Sequence, residues 1–343
     1  MLLARGLIAL AAVVCLALVS SCQVLNRSTA TQGVAGRIAW PKDGDLWVLD
    51  LSSKQQTKIT NLPSGAAVTG ASWSPDGQRV IFAQFWRRPN ERSSGADLML
   101  ANADGSNAQP FAERDAPNTV LEAPEWMPSG TVYYTVRTVS NGRETQAIMR
   151  RQTGSGTSET LVENGYSPAL SPDESTLIYI RSTRAGQTIL KKTVGEAGDG
   201  CVLISDQVFQ YLSLPRMSPD GKRFAFGGSG EPNMQPSGCG GDPHSKPNAA
   251  GLAPILKLGA TLLAPEVVEA HGLPADIYSV NLDGSEMSRI ADIKDDDPTV
   301  AWSPAGSKLA IFGVAALYVV DGKGGRTDKL VDQGGYGGLD WTR

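Results

Sequence analysis

The residues of this sequence with the greatest chemical reach are its arginines and carboxylates. Arg87, Arg88 and Arg92 fall within FWRRPNERSS, and two further groups follow, Arg137 with Arg143 and Arg181 with Arg184. A guanidinium keeps its charge and offers a planar fork of donors. Clustered arginines can therefore grip a carboxylate, a phosphate or an acidic sugar. The competing reading is charge solvated on exposed loops. Opposite in sign, DIKDDDP carries Asp292, Asp295, Asp296 and Asp297. Clustered carboxylates supply the oxygen ligands that calcium takes, but EF-hand spacing is absent. A solvated acidic loop is expected there, and no metal or other cofactor is called for.

A third constellation is Glu125, Arg216 and Asp340. Each stands one residue before a large residue of a recurring motif, Trp126, Met217 and Trp341. One register in a repeat brings side chains to one place, so the three are expected to approach a common axis. There they form either a polar site for acid–base work or a salt-bridged plug. The histidines are His244 and His271, and His271 is a further acid or base candidate. The sequence holds no G-x-S-x-G elbow, no H-E-x-x-H and no Gly-rich phosphate loop. The formal net charge of −4 gives the chain no electrostatic footprint for nucleic acid.

What must position these residues is a repeat. ASWSPDGQRVIFA begins at Ala71, PALSPDESTLIYI at Pro168, PRMSPDGKRFAFG at Pro215 and VAWSPAGSKLAIF at Val300. Each unit runs a short strand into a Ser-Pro-Asp-Gly turn or a relative of it, where Pro presets φ, Asp caps and Gly accepts a positive φ. An alternating apolar strand follows. After a loop comes a third strand, as in DLMLANADGSN or DIYSVNLDGSE, whose DGS makes a second tight turn into a fourth strand. Antiparallel four-stranded units repeating every 40–50 residues or so make a β-propeller. Six units are expected: 69–113, 122–162, 167–205, 214–290 and 299–331, with a sixth split between 337–343 and 37–60. Closure from both chain ends leaves no open edge, which suits a monomeric ring. The unit at 214–290, fifth when the split unit is counted first, carries an insertion over about 228–275 between its second and third strands. Its first half is Gly/Pro-rich loop; its apolar second half is a short helix or hairpin, serving as lid or interface.

The motifs and their spacing resemble the TolB-type propeller repeat family over roughly 37–343. The resemblance is to the repeat and not to the family's namesake, which carries a separate α/β domain and is a free periplasmic protein. It implies the propeller fold and leaves function open, because such propellers occur in binding proteins, peptidases and lyases. Antiparallel order puts the tight SPDG and DGS turns on one face, as structural Asp turns. The irregular second-to-third and fourth-to-first loops share the other face, where function is expected.

The first residues differ from the rest. One early charge, Arg5, precedes an apolar run that ends in small residues, as in a secretory signal. VSSC at 19–22 resembles the lipobox of bacterial lipoproteins. It implies a signal over 1–21, lipidation of Cys22 and a flexible tether over 22–36; the alternative is an uncleaved membrane anchor. Both hold the body outside the cytoplasm, in the periplasm or at the cell surface. Cys201 and Cys239 then remain, as a disulfide or as two unpaired thiols. The expected function is a rigid binding or scaffold module for an envelope protein or a polysaccharide or peptidoglycan-type polymer. The alternative is a lyase or glycoside hydrolase using carboxylates and Arg near the channel.

Overall fold

Short alternating strands separated by Gly, Pro, Asp and Ser make an all-β chain. The computed structural model describes residues 34–230, Cys239 and 273–343, and these hold 25 strands and no α-helix. The segments read as signal, lipidated Cys22 and most of the tether lie outside the described residues.

The strands form antiparallel meanders. β1 (Arg37–Lys42), β2 (Asp45–Asp50) and β3 (Gln56–Lys58) join β25 (Asp340–Thr342) in the order β25-β1-β2-β3. Strands β4 (Ala67–Trp73), β5 (Arg79–Trp86), β6 (Gly95–Asn102) and β7 (Gln109–Ala112) make the next meander. It meets β8 (Thr119–Trp126), β9 (Thr131–Ser140), β10 (Arg143–Gln152) and β11 (Glu159–Glu163) through a single parallel bridge, Ala96 to Val120. β12 (Tyr166–Leu170), β13 (Thr176–Ser182), β14 (Gln187–Thr193) and β15 (Cys201–Ile204) follow. In the next meander the first strand is broken into β16 (Tyr211–Leu212) and β17 (Arg216–Met217). Both pair with β18 (Arg223–Ser229), and β19 (Pro274–Asn281) and β20 (Ser288–Asp296) complete the sheet. The last runs through β21 (Thr299–Trp302), β22 (Lys308–Phe312), β23 (Leu317–Asp321) and β24 (Asp328–Val331). First strands touch in a closed cycle, β25 to β4, β8, β12, β17, β21 and back to β25. The molecule is a β-propeller.

Its core lies between neighbouring meanders. Ile178, Ile180 and Ile189 pack with Phe224, Phe226 and Tyr278 of the next sheet. Ile38, Trp40 and Leu49 pack with Ala310, Phe312 and Val319. Each fully buried side chain of this size stabilises the fold by about 1.5–3 kcal/mol. The tight turns are locked by one device. Ser74, Ser171 and Ser218 donate to Asp76, Asp173 and Asp220 at 2.5–2.6 Å. The same seryl oxygens accept from the N–H of Arg79, Thr176 and Arg223. These hydrogen bonds hold the three carboxyls below the ordinary aspartate range.

Three expectations need correction. Asp292, Asp295 and Asp296 are not in a loop. They belong to β20, because the ladder with β19 resumes beyond a bulge and pairs Asp295 with Ala275 and Asp296 with Pro274. Arg137, Arg143 and Arg181 are likewise strand residues of β9, β10 and β13. The insertion starts later than 228, since Gly228 and Ser229 pair with Asp276 and Ala275. Apart from Cys239, residues 231–272 lie outside the described residues, His244 and His271 with them. Cys239 is bonded to Cys201 with the Cα atoms 5.6 Å apart, which ties Cys239 to β15 of the preceding meander.

Candidate functional site: an axial cavity

In a first strand the residue before the large aligned one turns toward the axis, and in several meanders it reaches the next strand. Asp340 of β25 accepts the N–H of Trp73 in β4 at 2.8 Å and the Ser72 hydroxyl at 3.2 Å. Ser72 in turn accepts the N–H of Trp126 in β8 at 3.0 Å. Glu125 of β8 accepts the N–H of Leu170 in β12 at 2.9 Å. These acceptors bind backbone donors that no sheet ladder satisfies, and so tie adjacent meanders together. Burial pushes the Glu125 carboxyl from the usual 4.5 up to about 7, against the pull of Arg216 and the Leu170 hydrogen bond; Asp340 adds to the rise. Asp340 is also raised by burial, opposed by the Trp73 N–H and by Arg216. The structure thus brings Glu125, Arg216 and Asp340 within mutual electrostatic reach. No ion pair joins them: Arg216 has no carboxylate within 4.0 Å among the described residues. Its one side-chain hydrogen bond runs to the carbonyl of Pro215 at 3.2 Å.

Above Arg216, on the face of the irregular loops, opens a cavity of ≈ 280 Å³. Its wall is built from irregular backbone. β4 bulges at Thr69, between Val68 and Gly70. β8 bulges between Glu122 and Glu125, with Ala123 at φ 51°. β12 bulges between Tyr166 and Ala169, with Ser167 at φ 53°. The next first strand breaks altogether between Leu212 and Arg216. All four irregularities line the cavity, and Gly337, Gly338 and Asp297 complete it. Bulges re-aim side chains, and a non-glycine residue at positive φ costs about 1–3 kcal/mol that surrounding structure must hold in place. Tyr166, pushed up to about 12 chiefly by burial, accepts from Gln187 at 2.7 Å. Tyr211 donates to Asp297 at 2.9 Å, and burial and that carboxylate raise its pKa.

The arginine candidates divide. Arg88 pairs with Asp97 at 2.7 Å, and Glu91 and Glu113 lie within 3.9 Å. Arg137 meets Glu122 at 3.1 Å and Arg181 meets Asp199 at 2.7 Å. These three are compensated and do not make a bare basic sector. Arg87, Arg92 and Arg184 stay exposed on second-to-third connections, and Arg143 stays exposed at the start of β10. The acids diverge as well. Asp295 caps the N–H groups of Asp296 and Ala315, Asp296 accepts from Tyr336 and Asp297 from Tyr211. Among the described residues no three His, Cys, Asp or Glu side chains are grouped to hold a metal.

Sequence reasoning missed three things. Pro124, Pro168 and Pro215 each stand two residues before the aligned large residue. Proline cannot donate to a central ladder, so this recurrence marks broken first strands. Ser72 shares the register of Glu125 and Asp340. Arg114, buried and hydrogen-bonded through its own N–H and guanidinium to Asp97, is the best-held arginine of its meander. Only long-range pairing shows it.

No family model matches the chain, and no curated protein matches it in sequence. Solved structures do match in fold. TolB from Acinetobacter baumannii aligns over 89% of this chain and 66% of its own, with TM-score 0.59 and 14% identity. A putative TolB from Agrobacterium tumefaciens aligns over 90% of this chain and 98% of its own, with TM-score 0.57 and 16% identity. A chain of a nidogen/laminin complex aligns over 90% and 98%, with TM-score 0.58 and 9% identity. The fold is that of the TolB-type β-propellers, and this chain spans about two thirds of the first of them.

Proposed function

We propose that this chain is a six-bladed propeller, its split blade made of β25 with β1–β3, acting as a rigid binding module in the cell envelope. Lipidated Cys22 and a tether over 22–36 would hold the body over 37–343 at a membrane outside the cytoplasm. The loop-bearing face would take a protein partner. One of the similar folds is a chain from a nidogen/laminin complex, an example of such a ring in a protein complex.

The observation that carries this reading is the asymmetry of the two faces. On the turn face, Asp76, Asp104, Asp173, Asp220 and Asp283 are all engaged by Ser hydroxyls and backbone N–H groups. On the loop face, Arg87, Arg92, Arg143 and Arg184 are exposed without ion pairs among the described residues, and Tyr336 is 49% exposed. A preformed scaffold that displays such groups loses little ordering entropy on binding. Enzymatic use of Glu125 and Asp340 is the weaker reading. The elevated Glu125 is what favours it, yet both carboxylates are occupied by backbone N–H groups of neighbouring strands.

Photo-crosslinking in cells tests the binding reading, with the reactive residue placed in turn at Arg92, Arg143 and Arg184, then at Asp104 and Asp283. One recurrent protein adduct from the loop-face positions alone is expected. Equal adducts from both faces, or none from the loop face, would sink it.

A further inference from the structure

The axial cavity holds a cation whose needs the protein leaves open. Arg216 is 9% exposed, so its guanidinium is almost entirely withdrawn from bulk water. Burying a charge costs several kcal/mol unless donors and acceptors around it are matched. Here the carboxylates that face the cavity or its floor have their own partners. Glu122 is held by Arg137 at 3.1 Å, and Asp297 by Tyr211 at 2.9 Å. Glu125 and Asp340 accept from Leu170 and Trp73 at 2.9 and 2.8 Å. Among the described residues, Arg216 alone has no acceptor beyond the Pro215 carbonyl. The chain also keeps the approach to it clear. A Cβ on Gly338 would lie 3.8 Å from Arg216 Nη2 and 3.6 Å from Gly70 Cα. Glycine at 338 therefore leaves uncovered a guanidinium that a larger side chain would cap.

We propose that this cavity binds a small carboxylate monoanion, with Arg216 as the group that grips it. The inference is independent of the protein-binding reading above, since it concerns the cavity and not the loop rim. Three observations support it. The volume of ≈ 280 Å³ is near the lower end of ligand cavities, about 300 Å³, which suits one small molecule or one terminal residue. The fork of a guanidinium matches a planar carboxylate bidentately. The exposed Thr69 and the hydroxyls of Tyr166 and Ser167 on the wall add polar contacts beside the charge. A dianion fits less well, because the carboxylates of Glu122 and Asp297 line the cavity and repel a second negative charge. A free acid and the end of a peptide present the same group, and the experiment separates them.

Calorimetric titration of the full-length chain would use four probes: glucuronate, its methyl ester, N-acetyl-diglycine and inorganic phosphate. Two variants accompany it. Arg216→Lys keeps the charge and loses the fork. Gly338→Leu covers the guanidinium while residue 216 stays arginine, and a matching thermal melt shows that it folds. The expected result is binding of glucuronate or of the acyl dipeptide, whichever source fits, with neither ester nor phosphate competing. Each variant should weaken it by about ten-fold or more, the loss of one bidentate contact. Binding indifferent to both substitutions, tighter binding of phosphate or ester, or no binding of either acid up to about 10 mM would overturn the proposal. Loss of the protein partner with carboxylate binding intact would strike only the reading of the loop face.

Discussion

At the scale of the residue, Glu125 carries the clearest consequence. Its carboxyl is raised from 4.5 to about 7, first by burial, then shaped by Arg216, Leu170 and Asp340. An acid raised in the folded state favours folding while protonated. Its contribution is complete below pH 4.5 and is lost as pH rises through 7. At 1.36 kcal/mol per unit the loss is at most on the order of 3 kcal/mol, and less because the axial cavity admits solvent nearby. Glu125→Gln keeps an acceptor for the Leu170 N–H and removes the titration. Urea midpoints at pH 5 and pH 8 should therefore lie closer together in the variant than in the parent. Identical gaps in the two chains would show that Glu125 does not titrate in this window. The meeting of Glu125, Arg216 and Asp340 was legible because a repeat register is a spatial address. The missing ion pair was not, because it depends on where the bulges send each side chain.

At the scale of the element, the repeat spelled out its turns and misplaced some loops. The SPDG and DGS turns are read directly from residues whose φ and capping needs are local. The β9–β10 hairpin is the counter-example. Asn141 and Gly142, at φ 51° and 72°, make a two-residue turn between ten-residue strands. Asn-Gly is a strong hairpin signal, and reading it would have placed Arg137 and Arg143 in strands from the outset. The link between Cys201 and Cys239 joins an outer strand to the connection that follows β18, a neighbourhood visible only once the meanders pack side by side. Closing 38 residues removes unfolded-state entropy worth about 3–4 kcal/mol in the loop-entropy account. The double substitution Cys201→Ser with Cys239→Ser should lower unfolding stability by that order in oxidising buffer. It should also abolish the parent's sensitivity to reductant. A loss under about 1 kcal/mol would mean that packing with Ile204, Phe209 and Phe226 holds this region without the bond.

At the scale of the whole molecule, the proposed closure of the ring rests on β25. Three residues of β25 do this work: Thr342, Trp341 and Asp340 pair with Arg37, Ile38 and Ala39. Trp341 and the adjacent Leu339 are buried with Ile38, Trp40 and Phe312, and Asp340 reaches across to Ser72 and Trp73. Burial of Leu339 and Trp341 is worth about 1.5–3 kcal/mol each, and each hydrogen bond about 1 kcal/mol more. The sum is on the order of the 5–15 kcal/mol that separates most folded domains from their unfolded chains. Removing residues 337–343 should therefore do more than lower the melting temperature. It exposes the free edge of β1, takes one wall from the axial cavity and leaves a strand ready to pair with another chain. The shortened chain should melt broadly and elute as oligomers in size-exclusion chromatography. Added in trans, a peptide spanning 334–343 should restore a sharp melt, because the lost element is a strand with its slot waiting. A shortened chain that stays monomeric and melts like the parent would show that the packing of Ile38, Trp40 and Leu49 against Ala310, Phe312 and Val319 suffices to hold the first and last meanders together. Restoration by the peptide with Trp341→Ala would show that backbone pairing, and not the buried indole, is what closes it.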